Sequence, residues 1–231
     1  MFFAPFLFIY VLICLAFLAV LFFLIQIELI SYTFQVLGLS PRVALLVLLI
    51  SLIGSYINIP LYTVESGPPP STTTANNFGV VYEIPFQYAV PKTTTIAINV
   101  GGAVVPLVIA AYALSAAPVA LLPSVLGTAV VAMVTHHFAF ALPGIGIALP
   151  TLIPPLVAAL VALFLGKVMR VPHSIHVIAY VSGVLGTLIG ADLSNLHRIA
   201  DIGAPVASIG GAGTFDGVFL TGIVAVLLAR F

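Results

Sequence analysis

The sequence predicts an all-α polytopic membrane protein. It has about seven transmembrane helices, one or two of them broken or re-entrant, and a short extramembrane loop or hairpin at 60–93. Three observations predict this. First, the 231-residue chain is 62% apolar and only 5% charged, whereas a soluble domain carries about 25% charged residues. So few charges cannot cover a water-facing surface. Second, residues 1–27 are apolar and lack the basic n-region, short core and small-residue cleavage site of a secretory signal. They read as a retained first helix. Third, the rest of the chain divides into apolar runs near the ~20 residues that a bilayer span requires, separated by Pro, Gly and polar clusters.

The helices are expected at about 4–27, 41–58, 94–115, 119–137, 151–169, 174–195 and 212–230, in one transmembrane domain spanning 1–231. The second opens at Ser40-Pro41-Arg42 and ends in GSYINIP, where Tyr56 and Asn58 interrupt the apolar pattern. Residues 60–93 are hydrophilic. Pro68-Pro69-Pro70 and a Ser/Thr run mark a loop between helices two and three, and VVYEIPFQYAV alternates like a short strand or hairpin. The third helix carries INVGGAVVP and is expected to break near Asn99. FAFALPGIGIALP, after the fourth helix, is apolar but rich in breakers. A re-entrant or unwound piece fits it, which requires protein or a cavity around the backbone.

Lys and Arg near helix ends set orientation. Arg42, Lys167, Arg170 and Arg230 collect on one side and Lys92 and Arg198 on the other. This places the protein in the cell membrane with the N-terminus outside and the C-terminus in the cytoplasm. A net charge of zero gives no reason to expect nucleic acid. The lone Cys14 excludes an internal disulfide and a multi-Cys metal site. GxxxxGK[ST] is absent, no pattern names a cofactor, and no ligand spacing designates a metal. The expected surroundings are the lipid bilayer and a membrane-embedded or small-molecule substrate.

Asp192 and Asp216 fall inside apolar segments, each after a glycine-rich run. An Asp at a helix centre costs roughly 2.5–3.5 kcal/mol on insertion scales, so it marks function by default. Alternation of the spans puts Asn58, Asn99, His136, His137, Asp192, Asn195 and Asp216 at a similar depth on one membrane face. Gly101, Gly102, Gly211, Gly213 and Thr214 accompany them and allow close approach of backbone or substrate. Structural roles compete with these. Asp192 can cap the loop after its helix, Asp216 can cap a helix start, and the histidines suit the water interface. Adjacent residues on a helix point about 100° apart, so only one of His136 and His137 can face the carboxylates.

Two carboxylates brought together in low dielectric share a proton. One can then deprotonate water while the other protonates a carbonyl. The same pair can carry a proton or a cation in transport, and with a His can hold a divalent metal. A carrier predicts an internal repeat, and none is evident along the chain.

The runs GSYINIP, INVGGAVVP and GADLSNL, with ASIGGAGTFDGVFLTGI, resemble a prokaryotic multi-pass membrane family known as domain of unknown function 1614. A more distant similarity is to the intramembrane diaspartyl proteases, the presenilin, signal-peptide-peptidase and prepilin-peptidase group. Their GxGD motif compares with Gly213-Thr214-Phe215-Asp216, which keeps the first Gly and has Phe at the third position. That similarity implies an aspartyl hydrolase with Asp192 and Asp216 as the catalytic dyad, and Asn58, Asn99 and His136 around it. The alternative is a small cation- or proton-coupled transporter, or a metal-binding protein, using the same Asp/His/Asn cluster.

Overall fold

The computed structural model describes residues 4–65, 72–77, 80–85, 93–142, 146–198, 205–211 and 217–230. The chain divides into two compact units, 1–48 and 49–231.

The first unit contains α1 (Ala4–Val36) and the start of α2 (Pro41–Gly54). α1 runs nine residues beyond the expected end at 27, because Glu28 and the SYTFQ cluster continue the helix as its last turns. At its end Gly38 adopts φ +94, with its N–H donating to Gln35 O (2.9 Å) and Leu39 N–H donating to Phe34 O (2.9 Å). A glycine in this conformation satisfies free carbonyls at a helix terminus.

The second unit is built around α6 (Ile175–Thr187), which packs against α3 (Val105–Ala116), α4 (Leu121–Phe138), α5 (Ile153–Val168) and α7 (Gly217–Leu228). Every residue of α6 from Val177 to Val184 is buried. Its neighbours are packed inside out relative to a soluble protein. α4 buries Pro123, Ser124, Gly127, Thr128, Val131 and Thr135 and exposes Leu122, Val125, Leu126, Val130 and Met133. α5 buries Ala158, Ala159, Ala162 and Gly166 and exposes Leu156, Leu160 and Phe164. Small residues let helices approach, and large apolar side chains face outward where lipid is the solvent. Among the described residues, three helical segments, Val11–Val36, Pro118–Phe138 and Pro172–Arg198, are long and apolar enough to cross a bilayer. Together with the outward apolar faces they support a membrane protein.

Side-chain proximities fix helix direction. The α-carbon face of Gly127 meets Ser182, Gly186 meets Val131, and Gly190 meets Thr135 and Ala132, so α4 and α6 run parallel. Gly183 meets Thr221 and Ala225, and His176, at the start of α6, is hydrogen-bonded to the Val226 main chain with Arg230 near it, so α7 runs antiparallel to α6. The C-terminal ends of α4 and α6 and the N-terminal end of α7 therefore lie together.

The fold is mostly helical, but it is not all-α. β1 (Asn58–Glu65), β4 (Thr93–Asn99) and β7 (Val206–Ile209) form a three-stranded sheet in the order β1-β4-β7. β1 and β4 are antiparallel, with Asn58 opposite Asn99, and β4 and β7 are parallel, with Ile98 opposite Ile209. Two expectations are corrected here. The second helix ends at Gly54 instead of 58, because Asn58 opens a strand. The third helix does not start at 94. The β-branched run TTTIAIN is strand β4, and helix begins only at Val100. Within 60–93, where a loop or hairpin is expected, β2 (Thr72–Asn77) and β3 (Val80–Pro85) pair as an antiparallel hairpin. The breaker-rich segment after α4 is also a small hairpin, β5 (Phe140–Leu142) with β6 (Gly146–Ala148). The expected sixth helix, 174–195, is regular only to Thr187. It continues as a π turn at Leu188–Asp192 and a 3-10 stretch at Leu193–Arg198.

Candidate functional site

The site lies where the sheet ends against two π turns. The first, Val100–Val104, starts α3. Asn99 caps it, its Oδ1 accepting from Gly102 N at 2.7 Å. Asn99 Nδ2 donates to Ser55 O at 2.7 Å and to Asn58 Oδ1 at 2.9 Å. The side chain is 1% exposed, so its bonds to Ser55 and Gly102 sit away from solvent, where a lost partner leaves a full desolvation penalty. Ser51 Oγ donates to Gly101 O at 2.8 Å. Gly101 has no room for a side chain. A Cβ there would overlap Ser51 O and come within 2.5 Å of Ser55 N, which are main-chain atoms of α2 and its end.

The second π turn, Leu188–Asp192, ends α6. Gly190 lies against Thr135 and Ala132 of α4, closer than any side chain permits. Thr135 Oγ1 donates across to Gly186 O at 3.1 Å. A π turn followed by 3-10 leaves carbonyls without regular helical donors, and side chains supply them. Ser194 Oγ donates to Ile189 O at 2.8 Å, and Asn195 Nδ2 donates to Gly190 O at 3.1 Å and Ala191 O at 2.9 Å. Asn195 is 1% exposed, and its Oδ1 is buried with no hydrogen-bond partner among the described residues.

The two regions meet through β7. Ser208 Oγ donates to Asn58 Oδ1 at 2.5 Å, and Gly210 N donates to Asp192 Oδ2 at 2.8 Å. Gly210 has φ +82, and a Cβ there would come within 2.6–2.8 Å of Ala103 and Gly102. Gly211, at φ +89, donates its N–H to Ser208 O at 3.2 Å. The structure thus brings together Asn58, Asn99, Gly101, Gly102, Asp192, Asn195, Gly210 and Gly211. His136 stands exposed at the end of α4 and takes no part in these hydrogen bonds among the described residues. Asp216, Gly213 and Thr214 lie outside the described residues. α7 begins at Gly217, and its antiparallel register with α6 sets that start at the Asp192 end. Among the described residues, no three His, Cys, Asp or Glu side chains gather to hold a metal.

The sequence reading missed Ser51, Ser55, Ser208 and Gly210. It also missed a repeat that would have flagged them. Leu52-Ile53-Gly54 ends α2 and Leu188-Ile189-Gly190 ends the α6 segment; Gly101-Gly102-Ala103 follows β4 and Gly210-Gly211-Ala212 follows β7. In each copy a helical segment ends in Leu-Ile-Gly and a strand, β4 or β7, leads into Gly-Gly ahead of a helix, with β1 to β3 inserted in the first copy. Each closes on itself, Gly54 against Gly101 and Asp192 onto Gly210. The two strands that precede the Gly-Gly turns pair in parallel.

No curated protein and no solved structure matches this chain. A family model described as "Protein of unknown function (DUF1614)" matches residues 52–228, which hold the Leu-Ile-Gly and Gly-Gly motifs of both copies and the polar network apart from Ser51. The chain belongs to that family.

Proposed function

We propose that residues 49–231 form a small cation- or proton-coupled carrier in the membrane, with Asp192 as its charged group. The observation that supports this most is the repeat. Two strand–Gly-Gly–helix copies lie side by side in parallel register, and their irregular turns converge on one polar network. Repeated halves, interrupted helices and a polar centre where they meet are the features that transport folds use to hold a solute between moving parts. π turns within helices accompany functional sites in general. The test is purified protein in liposomes loaded with a pH-sensitive dye, under an imposed Na+ or K+ gradient. Wild-type vesicles should change lumenal pH and Asp192→Asn vesicles should not. Wild-type vesicles that behave like empty ones under both gradients would refute the reading.

A second reading, an aspartyl hydrolase using Asp192 and Asp216, is favoured by one specific contact. The Asp192–Gly210 bond tethers the segment leading to Asp216, and α7 starts one residue after Asp216 at the Asp192 end of α6. Comparing membrane proteomes of Asp192→Ala and Asp216→Ala strains tests it. An uncut substrate should accumulate in both, and unchanged proteomes would eliminate the dyad.

A further inference from the structure

We propose that the end of the helix bundle opposite Asp192 binds the headgroup of an anionic phospholipid, with Lys167 and Arg170 holding its phosphate. Three helices assemble that end. Gly166, in the last turn of α5, lies against Ile175 at the start of α6. His176, the next residue, is hydrogen-bonded to the Val226 main chain in the last turns of α7, and Arg230 lies near it. Lys167, Arg170, His173 and Arg230 therefore gather at one end, and all four are exposed. The start of α4 reaches the same end, because α4 runs parallel to α6. No Asp or Glu occurs in 84–191 or 217–231, so no helix that reaches this end brings a carboxylate to it.

Arg170 is held in a conformation that its side chain disfavours. Among the described residues it is the one non-glycine residue with positive φ, at +57. It closes α5, with Val171 N–H donating to Gly166 O at 2.9 Å and Arg170 N–H donating to Lys167 O at 3.3 Å. Glycine is the usual residue at this point of such a closure. An arginine kept there against that preference points to work done by the side chain. Neutralising the helix end does not require it, since Lys167 already stands in the last turn.

The surface leading to this rim indicates what the anion is attached to. Leu160, Phe164 and Val168 are all exposed and stand four residues apart, which puts them on one face of α5. At 1.5 Å per residue the stripe is about 12 Å long, and Lys167 adjoins its end. An acyl chain fits along such a stripe with its phosphate at Lys167 and Arg170. Arg meets phosphate oxygens through paired N–H donors and Lys as a point charge. Basic groups at helix ends attract anionic lipids in this way.

The test is thermal melting of the full chain, followed by circular dichroism. Dodecyl maltoside micelles are doped with phosphatidylglycerol or with phosphatidylcholine of the same acyl chains. A third sample adds glycerol phosphate, the free headgroup, to the phosphatidylcholine micelles. Phosphatidylglycerol should raise the melting temperature saturably above the phosphatidylcholine curve, and glycerol phosphate should not. Arg170→Gly removes the cation and relieves the backbone. In phosphatidylcholine it should melt at or above wild type, yet lose most of the phosphatidylglycerol increment. Lys167→Gln should lose a comparable share. Arg42→Gln, which removes an exposed cation of the other unit, should keep the full increment. Because Arg170→Gly suits the turn, it decides the matter even where Lys167→Gln unfolds. The proposal is overturned by no increment in wild type, an equal increment from glycerol phosphate, an undiminished increment in Arg170→Gly, or an equal loss in Arg42→Gln.

Discussion

Asn99 Nδ2 and Ser208 Oγ donate to the same atom, Asn58 Oδ1, at 2.9 and 2.5 Å. Asn99 and Ser208 each stand two residues before a Gly-Gly pair, Asn99 before Gly101 and Ser208 before Gly210. One carboxamide thus joins equivalent points of the two copies. Two donors on one acceptor predict non-additivity. In a double-mutant cycle of Asn99→Ala and Ser208→Ala, measured by reversible unfolding in mixed micelles, the coupling should be about 0.5–1.5 kcal/mol. Strict additivity would mean that the shared oxygen does not link the copies.

Asn99→Ala alone should cost more, about 2–4 kcal/mol, because it removes a helix cap and strips the buried Ser55 O and Gly102 N of their partners. Ser115→Ala is the comparison. Its exposed hydroxyl bonds only Tyr112 O one turn back, so the same unfolding assay should register a change under about 0.5 kcal/mol.

Glycines should separate sharply by position. Gly101→Ala puts a methyl group into main-chain atoms of Ser51 and Ser55, so the end of α2 has to move away from the π turn, with a loss of several degrees in melting temperature. Nothing lies within 4 Å of a Cβ built on Gly217, at the start of α7. Gly217→Ala should melt at or slightly above wild type, since Ala is favoured over Gly in helix by up to about 1 kcal/mol. Melting curves of the two variants side by side check this.

Much of the helical framework was legible in the sequence, because long apolar runs bounded by Pro and Gly carry the signal directly. Breaks at INVGGAVVP and after α4 were legible for the same reason. The sheet was not. TTTIAIN is as apolar as a helix start, and its period of two spans only seven residues before glycines end it. β7 is shorter still, with four residues. The repeat was obscured because the first copy carries the β2–β3 hairpin between its Leu-Ile-Gly and Gly-Gly motifs. Asp192, Asn195, Asn58 and Asn99 could be singled out as polar groups in apolar surroundings. Ser51, Ser55 and Ser208 could not, since serine is ordinary in membrane helices and strands and only tertiary contact distinguishes these three.

The inside-out packing makes its own prediction. Ala158 is fully buried against α6, while Leu160 is 57% exposed. In lipid-like micelles Ala158→Leu should cost about 1–3 kcal/mol through overpacking, and Leu160→Ala should change unfolding by less than about 0.5 kcal/mol. The opposite ranking would indicate that the Leu160 face is covered by protein.

The most direct test of the central claim is uptake of radioactive 22Na+ into proteoliposomes by wild type and by Asp192→Asn, with equal amounts of folded protein incorporated. Saturable uptake above empty vesicles in wild type, falling to background in Asp192→Asn, is the result this structure predicts. Equal uptake by both proteins, or no uptake by wild type of either 22Na+ or the K+ analogue 86Rb+, would contradict it.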